Sequence, residues 1–363
     1  MKTVIMAGGK GTRISSIASD IPKPMIKVAD KPILQLEIES LKRQGLDDFI
    51  ITVSHLGHII MDYFGDGSRF GVKIEYFNEE KPLGNAGALF QIKEKLKDDF
   101  LLINGDALFE FDVNRFIAYH FEKKGLVTLF THPNAHPYDS GLLITDKNNS
   151  VVEWLSKEDP RPELYKNRVN AGIHILSPKI LEKKIEKEKI DLDRDLLKPL
   201  CGSGRMFAYD SSEYVKDMGT PERYLQVSED YLSGKTARRN LSCKQKAIFL
   251  DRDGTLNKYV GFLTDIKDFE LLPKTGEAIR TINDSDYLAI VITNQPVIAR
   301  GEVSFEELDE IHNKMETLLG EEGAYLDAIY FCPHHPHSGY KGEVKELKID
   351  CDCRKPKPGM FFK

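Results

Sequence analysis

The stretch Met1-Lys2-Thr3-Val4-Ile5-Met6-Ala7-Gly8-Gly9-Lys10-Gly11-Thr12-Arg13 decides how the rest of the chain is read. A short apolar run ends in a glycine-rich segment, the pattern of a buried strand that stops at a tight loop. Backbone amides without side chains in the way can converge there on phosphate oxygens. Arg13 adds fixed positive charge, as does Lys23 within Pro22-Lys23-Pro24-Met25. That chemistry suits a triphosphate. The loop is not a P-loop, because the spacing around Gly-Lys and the following Ser/Thr are wrong. It also fails the dinucleotide fingerprint, since Ile14 stands where the third glycine belongs. Gly-Gly-x-Gly alone is compatible with a structural turn, whereas Gly-Gly-x-Gly-Thr-Arg with Pro-Lys-Pro downstream is a far more specific string.

Working outward, a helical period runs from Ile33 to Arg43 and stops at Gly45, and an apolar strand follows at Phe49 to Val53. The rhythm repeats with a strand at Val72 to Phe77, a helical stretch at Ala86 to Leu96 and a strand at Phe100 to Ile103. Such a βαβ alternation predicts an open α/β sheet with ligands at the carboxyl ends of its strands. Leu181 to Ile190 is nearly all Glu and Lys with isoleucines at intervals, which predicts a solvated amphipathic helix without a binding role. Between Tyr231 and Gln245 the pattern turns polar and basic before a fresh strand at Ala247 to Leu250. The expected division is a domain over 1–232, a linker over 233–245 and a second domain over 246–363.

A chain of 363 residues fits two domains, and its 41% hydrophobic and 30% charged residues are those of a globular protein. The net charge of -6 argues against nucleic-acid binding, which favours strongly basic surfaces. The residues from Met1 onward do not read as a leader, and no apolar run approaches spanning length. A cytoplasmic protein without membrane or nucleic-acid partners is therefore expected, and a homo-oligomer is compatible with it. Five cysteines is an odd count. Cys332, Cys351 and Cys353 crowd beside histidines, which favours a metal over disulfides, while Cys201 and Cys243 look like isolated thiols.

More motifs follow the glycine loop in order: Pro82-Leu83-Gly84-Asn85-Ala86-Gly87-Ala88, Asn104-Gly105-Asp106, Glu153-Trp154-Leu155-Ser156-Lys157, Asn170-Ala171-Gly172 and Asp217-Met218-Gly219-Thr220-Pro221. Over roughly residues 1–230 this series resembles the sugar nucleotidyltransferase family, the group that includes mannose-1-phosphate guanylyltransferases. The resemblance implies a Rossmann-like, GT-A-like mixed sheet. It assigns Ala7, Gly8, Gly9, Gly11, Thr12, Gly84 and Asn85 to the nucleotide, with Asn85 where the family usually has Thr. Glu153, Lys157, Asn170 and Gly172 fall to the sugar, Asp106 and Asp217 to Mg²⁺, and Arg13 and Lys23 to the transferring phosphoryl group. Attack of a sugar 1-phosphate on a nucleotide α-phosphorus brings two anions together, so metal and cations must offset repulsion and align the groups.

The second strand-and-loop unit is Ala247 to Leu250 followed by Asp251-Arg252-Asp253-Gly254-Thr255. A calcium loop is disfavoured because Phe262 occupies the twelfth position, where Glu is required. Asp-x-Asp-Gly-Thr resembles the first motif of haloacid dehalogenase phosphatases. By that resemblance Asp251 is a nucleophile, Asp253 shuttles the proton, and Mg²⁺ sits at these two carboxylates. Thr293 and Asn294 match the second motif and Arg354-Lys355 the third. Cys332-Pro333-His334-His335-Pro336 and Cys351-Asp352-Cys353 offer two close pairs of soft and borderline ligands, which fits tetrahedral Zn²⁺. Cys332, His334, Cys351 and Cys353 are the expected set, with His335 as a substitute.

Residues 246–363 together look like heptose 1,7-bisphosphate phosphatases or the related histidinol phosphatases, which implies a partial haloacid dehalogenase-type Rossmannoid domain. The family's fourth, acidic motif normally lies beyond the lysine, and only Pro356 to Lys363 follow here, so weak or absent phosphatase turnover is expected. The combined expectation is nucleotidyl transfer, GTP favoured, to D-glycero-D-manno-heptose 1-phosphate, joined to a heptose 1,7-bisphosphate 7-phosphatase. The alternative is a mannose-1-phosphate guanylyltransferase, or a uridylyl- or thymidylyltransferase of another hexose 1-phosphate, with the C-terminal segment a zinc-bearing scaffold.

Overall fold

Apolar runs and amphipathic segments alternate along the first two hundred residues, and a computed structural model assembles the runs into one sheet. It describes residues 1–9, 20–183 and 185–362. The strands are β1 (Thr3–Met6), β2 (Lys27–Val28), β3 (Lys31–Pro32), β4 (Asp48–Val53), β5 (Lys73–Asn78), β6 (Phe100–Asn104), β7 (Ala107–Glu110), β8 (Val127–His132), β9 (Leu142–Thr145), β10 (Val151–Leu155), β11 (Val169–Leu176), β12 (Met206–Asp210), β13 (Tyr214–Asp217), β14 (Lys246–Leu250), β15 (Tyr287–Asn294) and β16 (Ala328–Cys332). The helices are α1 (Ile33–Arg43), α2 (Gly57–Phe64), α3 (Gly87–Gln91), α4 (Val113–Lys123), α5 (Pro221–Leu232), α6 (Lys235–Arg238), α7 (Thr275–Asp284) and α8 (Phe305–Glu321).

Nine strands form the large sheet in the order β10-β9-β11-β6-β1-β4-β5, with β8 pairing β11 and β12. β1 lies parallel to both β4 and β6, while β11 runs antiparallel to β6, so the sheet is mixed. Both faces are covered, which is why β1 reads as a continuous apolar run: Val4 packs into one core and Ile5 into the other. α1 ends where expected, with Gly45 at φ +90° taking the left-handed position that a side chain resists. Among the described residues, no helix is long and apolar enough to cross a membrane.

The chain divides into two compact units. The first comprises Met1–Thr131, Leu143–Trp154 and Asn170–Lys244, and the second His132–Leu142, Leu155–Val169 and Gln245–Lys363. Within the second, β14, β15 and β16 form a parallel sheet in that order, over a core that includes Leu256, Ile279, Val291, Ile311 and Met315. α8 starts at a capping box in which Ser304 and Glu307 satisfy each other's backbone amides. One side of α8 holds the 155–169 segment: Glu316 accepts from Arg168 Nη1 at 3.2 Å and from the Asn167 amide at 2.9 Å.

Three segments differ from the sequence expectation. Residues 233–245 are not slack, because Lys235 and Arg239 are buried, Lys235 reaches Asp230 at 3.5 Å and the Leu241 amide donates to Glu213. The 86–96 stretch breaks after Gln91 into a short 3₁₀ turn at Lys93–Lys95. Residues 181–190 do not build the expected helix; a 3₁₀ turn at Pro178–Glu182 is followed by irregular chain. The backbone at Ile190 is instead committed to the 83–86 loop, donating to the Leu83 carbonyl at 2.8 Å and accepting from the Ala86 amide at 3.0 Å. Burial of Leu181 and Ile190 outweighs the local preference of the Glu/Lys run.

A single π-helical turn, Leu192–Leu197, follows and draws Asp193 inward. Burial, aided by Asp191, raises its carboxyl to about 6. An unfolded chain releases that proton near the ordinary 3.8, so stability falls as pH rises between about 4 and 6 and stays low above. Asp193→Asn should therefore stabilise the protein at pH 7 by about 1–3 kcal/mol and flatten the pH dependence of its melting temperature across that window, as read by thermal unfolding.

Candidate functional site

The carboxyl ends of β1, β4, β5 and β6 open onto a cleft of about 500 Å³ lined by Ala7, Gly8, Gly9, Lys23, Ser54, Glu79, Gly84, Asn85, Asn104, Asp106 and Gly219, among others. The Ala7 amide donates to the Thr52 carbonyl at 2.9 Å and Ser54 Oγ to the Gly8 carbonyl at 2.7 Å, so the first glycines are tied down where the strand ends. Gly11, Thr12 and Arg13 lie outside the described residues. Lys23 meets Asp106 at 2.7 Å. Asp217 is brought beside this pair by the antiparallel β7–β13 ladder, which sets Asp217 opposite Ala107. Thr220 caps α5 and Pro221 occupies its first turn, so Arg223 lies one turn in and reaches back to Asp217 at 2.9 Å. Each carboxylate thus already faces a cation.

Behind Asp106, Glu37 is fully buried; burial first, then the Asp106 charge, pushes its carboxyl well above the ordinary range. Its neutral form is thereby favoured, which limits the negative charge it adds beside Asp106. Glu79 enters the cleft from just beyond β5, close to Gly8, and one of its oxygens accepts the Leu83 amide at 3.3 Å. Burial raises its pKa as well.

Gly84 has φ +82°, and a Cβ there would stand 2.3 Å from the Ile190 carbonyl. The Asn85 side-chain oxygen is spent on the Leu192 amide at 2.7 Å. The loop is therefore pinned to the 190–192 segment. Of the residues expected at the sugar, Gly172, at φ +72°, packs on Asn104, and Asn170 Oδ1 accepts the Gly172 amide at 3.2 Å. Glu153 is not among the residues lining the cleft; it is exposed on β10, whereas Val151 and Trp154 are buried. Lys157 belongs to the second unit, where it is exposed with Glu158 at 3.7 Å.

In the second unit Asp251 follows β14, and its carboxylate pairs with Lys355 Nζ at 2.7 Å. Lys355 is fixed by exchange with Asn294, whose oxygen accepts the Lys355 amide and whose nitrogen donates to the Lys355 carbonyl. Asp253 is surrounded by donors: Arg252 Nη2 donates to both of its oxygens at 3.0 Å, Gln295 Nε2 at 2.8 Å and Asn257 Nδ2 at 3.2 Å. Arg252 is 0% exposed. It also contacts His312, which burial and that neighbouring cation push down to about 3, so the ring stays neutral. Thr293 Oγ1 accepts from Gln295 at 2.9 Å. Arg354 donates to the His334 carbonyl.

Cys332, His334, Cys351 and Cys353 place their ligand atoms within 4.8 Å of one another. The sulfur–sulfur separations are 3.3–3.5 Å, and His334 Nδ1 is 3.3 Å from the Cys353 sulfur. A tetrahedron with 2.3 Å metal–sulfur bonds has edges of about 3.8 Å, close enough to these separations for the donor set to fit a zinc-sized cation. His335 turns away, its Nδ1 engaged with the His337 backbone.

The sequence profile of the family described as Nucleotidyl transferase matches residues 2–234. The chain belongs to the nucleotidyl transferase family. It is 34% identical over 248 residues to a UTP--glucose-1-phosphate uridylyltransferase of Synechocystis, covering 64% of each chain. It is 30% identical over 234 residues to a mannose-1-phosphate guanylyltransferase of Mycobacterium tuberculosis, again covering 64% of each. The chain thus spans under two thirds of the length of these relatives. The crystal structure of HddC from Yersinia pseudotuberculosis superposes with a TM-score of 0.56 at 29% identity, over 63% of this chain and 99% of that one. A second structure of HddC holds GMP-PN, with a TM-score of 0.55.

Within the nucleotidyl transferase segment, sequence reasoning passed over Glu79, Glu37 and Arg223. Glu79 is the first residue past the end of β5 and stands three residues before Pro82-Leu83-Gly84, the position that could have marked it. Arg223 sits three residues past its cap, the spacing that returns a side chain to the helix start. Outside that segment the role of Arg252 was hidden because a fully buried cation cannot be told from a surface one by its letter. Gly84→Ala should lower stability by about 2–4 kcal/mol, because the left-handed backbone and the clash add. Gly9→Ala, with nothing within 4 Å of a Cβ, should melt like the wild type; differential scanning calorimetry separates the two.

Proposed function

We propose that the first unit transfers a nucleotidyl group from a nucleoside triphosphate, GTP favoured, to a sugar 1-phosphate, D-glycero-D-manno-heptose 1-phosphate favoured, releasing pyrophosphate. The observation that carries this reading is the meeting, at one set of strand ends, of bare glycine amides, Lys23 and the neighbouring carboxylates Asp106 and Asp217. Two half-exposed carboxylates side by side fit Mg²⁺, which when bound supplies charge neutralisation for phosphate oxygens. Lys23 shares its ammonium between Asp106 and the phosphates, and Arg223 keeps Asp217 oriented. A sugar-phosphate oxygen attacks the α-phosphorus, the bond to the β-phosphate oxygen breaks, and pyrophosphate takes the electron pair.

Glu79 supports the preference for guanine. A carboxylate accepts from both N1–H and the 2-amino group, whereas uracil and thymine present one N–H flanked by two carbonyls that a carboxylate repels. The HddC complex with GMP-PN and the guanylyltransferase relative stand on the same side. Measuring pyrophosphate release for each nucleoside triphosphate against heptose, mannose and glucose 1-phosphates tests the assignment, and no turnover with GTP would reject the base. Glu79→Gln should cut kcat/KM for GTP by about 10- to 100-fold. Asp106→Ala and Asp217→Ala should each abolish transfer while leaving zinc content unchanged.

The second unit is proposed to act on the preceding substrate, removing the 7-phosphate of the heptose 1,7-bisphosphate. The pairing of Asp251 with Lys355 supports this: Asp251 attacks phosphorus, Asp253 protonates the departing ester oxygen, and water later cleaves the aspartyl phosphate. Zinc at Cys332, His334, Cys351 and Cys353 would hold the segment that leads straight into Arg354 and Lys355. The purified chain should carry about one equivalent of zinc, and Cys351→Ser should lose it while the first unit's melting is kept. Any phosphate release from the bisphosphate should vanish in Asp251→Asn; activity that survives this substitution makes the segment a scaffold.

A further inference from the structure

Asn85 stands near the end of the loop that begins at Glu79, and both side chains line the cleft of the first unit. The loop has little slack. The Glu79 carboxylate accepts the Leu83 amide at 3.3 Å, the Leu83 carbonyl accepts the Ile190 amide at 2.8 Å, and the Ile190 carbonyl accepts the Ala86 amide at 3.0 Å. Ile190 and Leu192 are 7% and 2% exposed, so the strap that holds the loop is itself sunk in the core of the same unit. Glu79 and Asn85 are thereby mounted on one frame.

The Leu192 amide, 2.7 Å from the Asn85 side chain, fixes which end of that carboxamide faces the strap. An N–H needs an acceptor, so the oxygen must lie there; a flipped amide would set two donors against each other. What remains is Nδ2, which has no protein partner among the described residues and belongs to a side chain exposed at the cleft wall. A nitrogen held in this way donates and cannot accept. The hydroxyl of threonine, the residue usual at this place in the family, does either, and so would not tell a carbonyl from an amino group on a base. The Glu79 carboxylate is the complement, an acceptor without a donor.

We infer that Asn85 is a specificity-determining residue of the first unit, its Nδ2 donating to the O6 carbonyl of the guanine whose N1–H and 2-amino group Glu79 accepts. The inference rests on the nucleotidyl-transfer reading with GTP and deepens it. Guanine offers O6 as an acceptor beside those two donors, whereas adenine carries an amino group at the same place. An adenine nucleotide would set its amino hydrogens against Nδ2 and its N1 lone pair against the carboxylate, leaving both protein groups unpaired. The strap at Ile190–Leu192 makes the choice possible: by taking up the Asn85 oxygen it leaves only a donor for the base.

The test uses the full chain with whichever sugar 1-phosphate the wild type turns over. It compares kcat/KM for GTP, for its 6-thio analogue, in which a sulfur that accepts poorly replaces O6, and for inosine triphosphate, which lacks only the 2-amino group. The wild type should favour GTP over the 6-thio analogue by about 5- to 10-fold, the worth of one neutral hydrogen bond. Asn85→Asp keeps an oxygen for the Leu192 amide and loses the donor. It should melt with the wild type and erase the preference over the 6-thio analogue, while the ratio of GTP to inosine triphosphate stays within about twofold. Asn85→Ala, which loses both contacts, should erase the same preference whatever it does to the overall rate, and it decides the matter if Asn85→Asp does not fold. A wild type without the preference, a preference that survives in the folded variants, or equal losses toward all three nucleotides overturns the inference. Turnover with UTP and none with GTP overturns it together with the base assignment, whereas a wild type that makes no pyrophosphate from any pair overturns the transfer reading itself, before any variant is compared.

Discussion

Met6 lies level with Thr52 on one side and Asn104 on the other, and that parallel register governs what the first unit can bring together. Both faces of β1 are buried, so a slip of one residue would turn Val4 and Ile5 into the wrong cores. With the register locked, Ala7 and Gly8, Ser54, and Gly105 with Asp106 leave the sheet along one edge. Gly105 takes part in this directly: a Cβ there would come within 3.0 Å of Ile5 Cγ2 and 3.2 Å of the Met6 carbonyl. The phosphate-facing loop and the carboxylate are therefore neighbours because two strands are, before any side chain of the cleft is considered.

A common electrostatic arrangement runs through both units. Asp106 faces Lys23, Asp217 faces Arg223, Asp251 faces Lys355 and Asp253 faces Arg252. In each unit two carboxylates close in sequence or across a ladder each have a cation of their own, which lets acidic groups crowd without mutual repulsion dominating. Arg252 is the extreme case, since a fully buried guanidinium persists only when its donors are met, and Asp253, Gln295 and His312 meet them.

Much of this was legible in the letters. The alternation of apolar runs and helical periods pointed to an open α/β sheet, and the family resemblance implied its mixed character and singled out Lys23, Asp106 and Asp217. Cys332, His334, Cys351 and Cys353 converge as their spacing suggested. What sequence could not supply was set by partners distant along the chain. The 181–190 run has the composition of a helix, but its end is bonded to the 83–86 loop. Glu153 and Lys157 were placed by motif position, whereas Glu153 is exposed on β10 and Lys157 falls in the second unit. Glu37 and Glu79 matter because of burial and neighbours, neither of which a single letter carries.

The interleaving of the two units has a kinetic side. Glu316 lies 148 residues beyond Arg168, and the ribosome adds roughly 5–20 residues per second. For roughly 7–30 s of synthesis the 155–169 stretch exists without the helix that will hold it, while β11, which follows at once, is available to pair with β6. The order of assembly is thereby set: the large sheet can close early around an unfinished excursion, and α8 must arrive to a strand already in place. Contacts of such long sequence separation form late and slowly, so the 155–169 segment waits through most of that interval without the α8 side chains that will hold it.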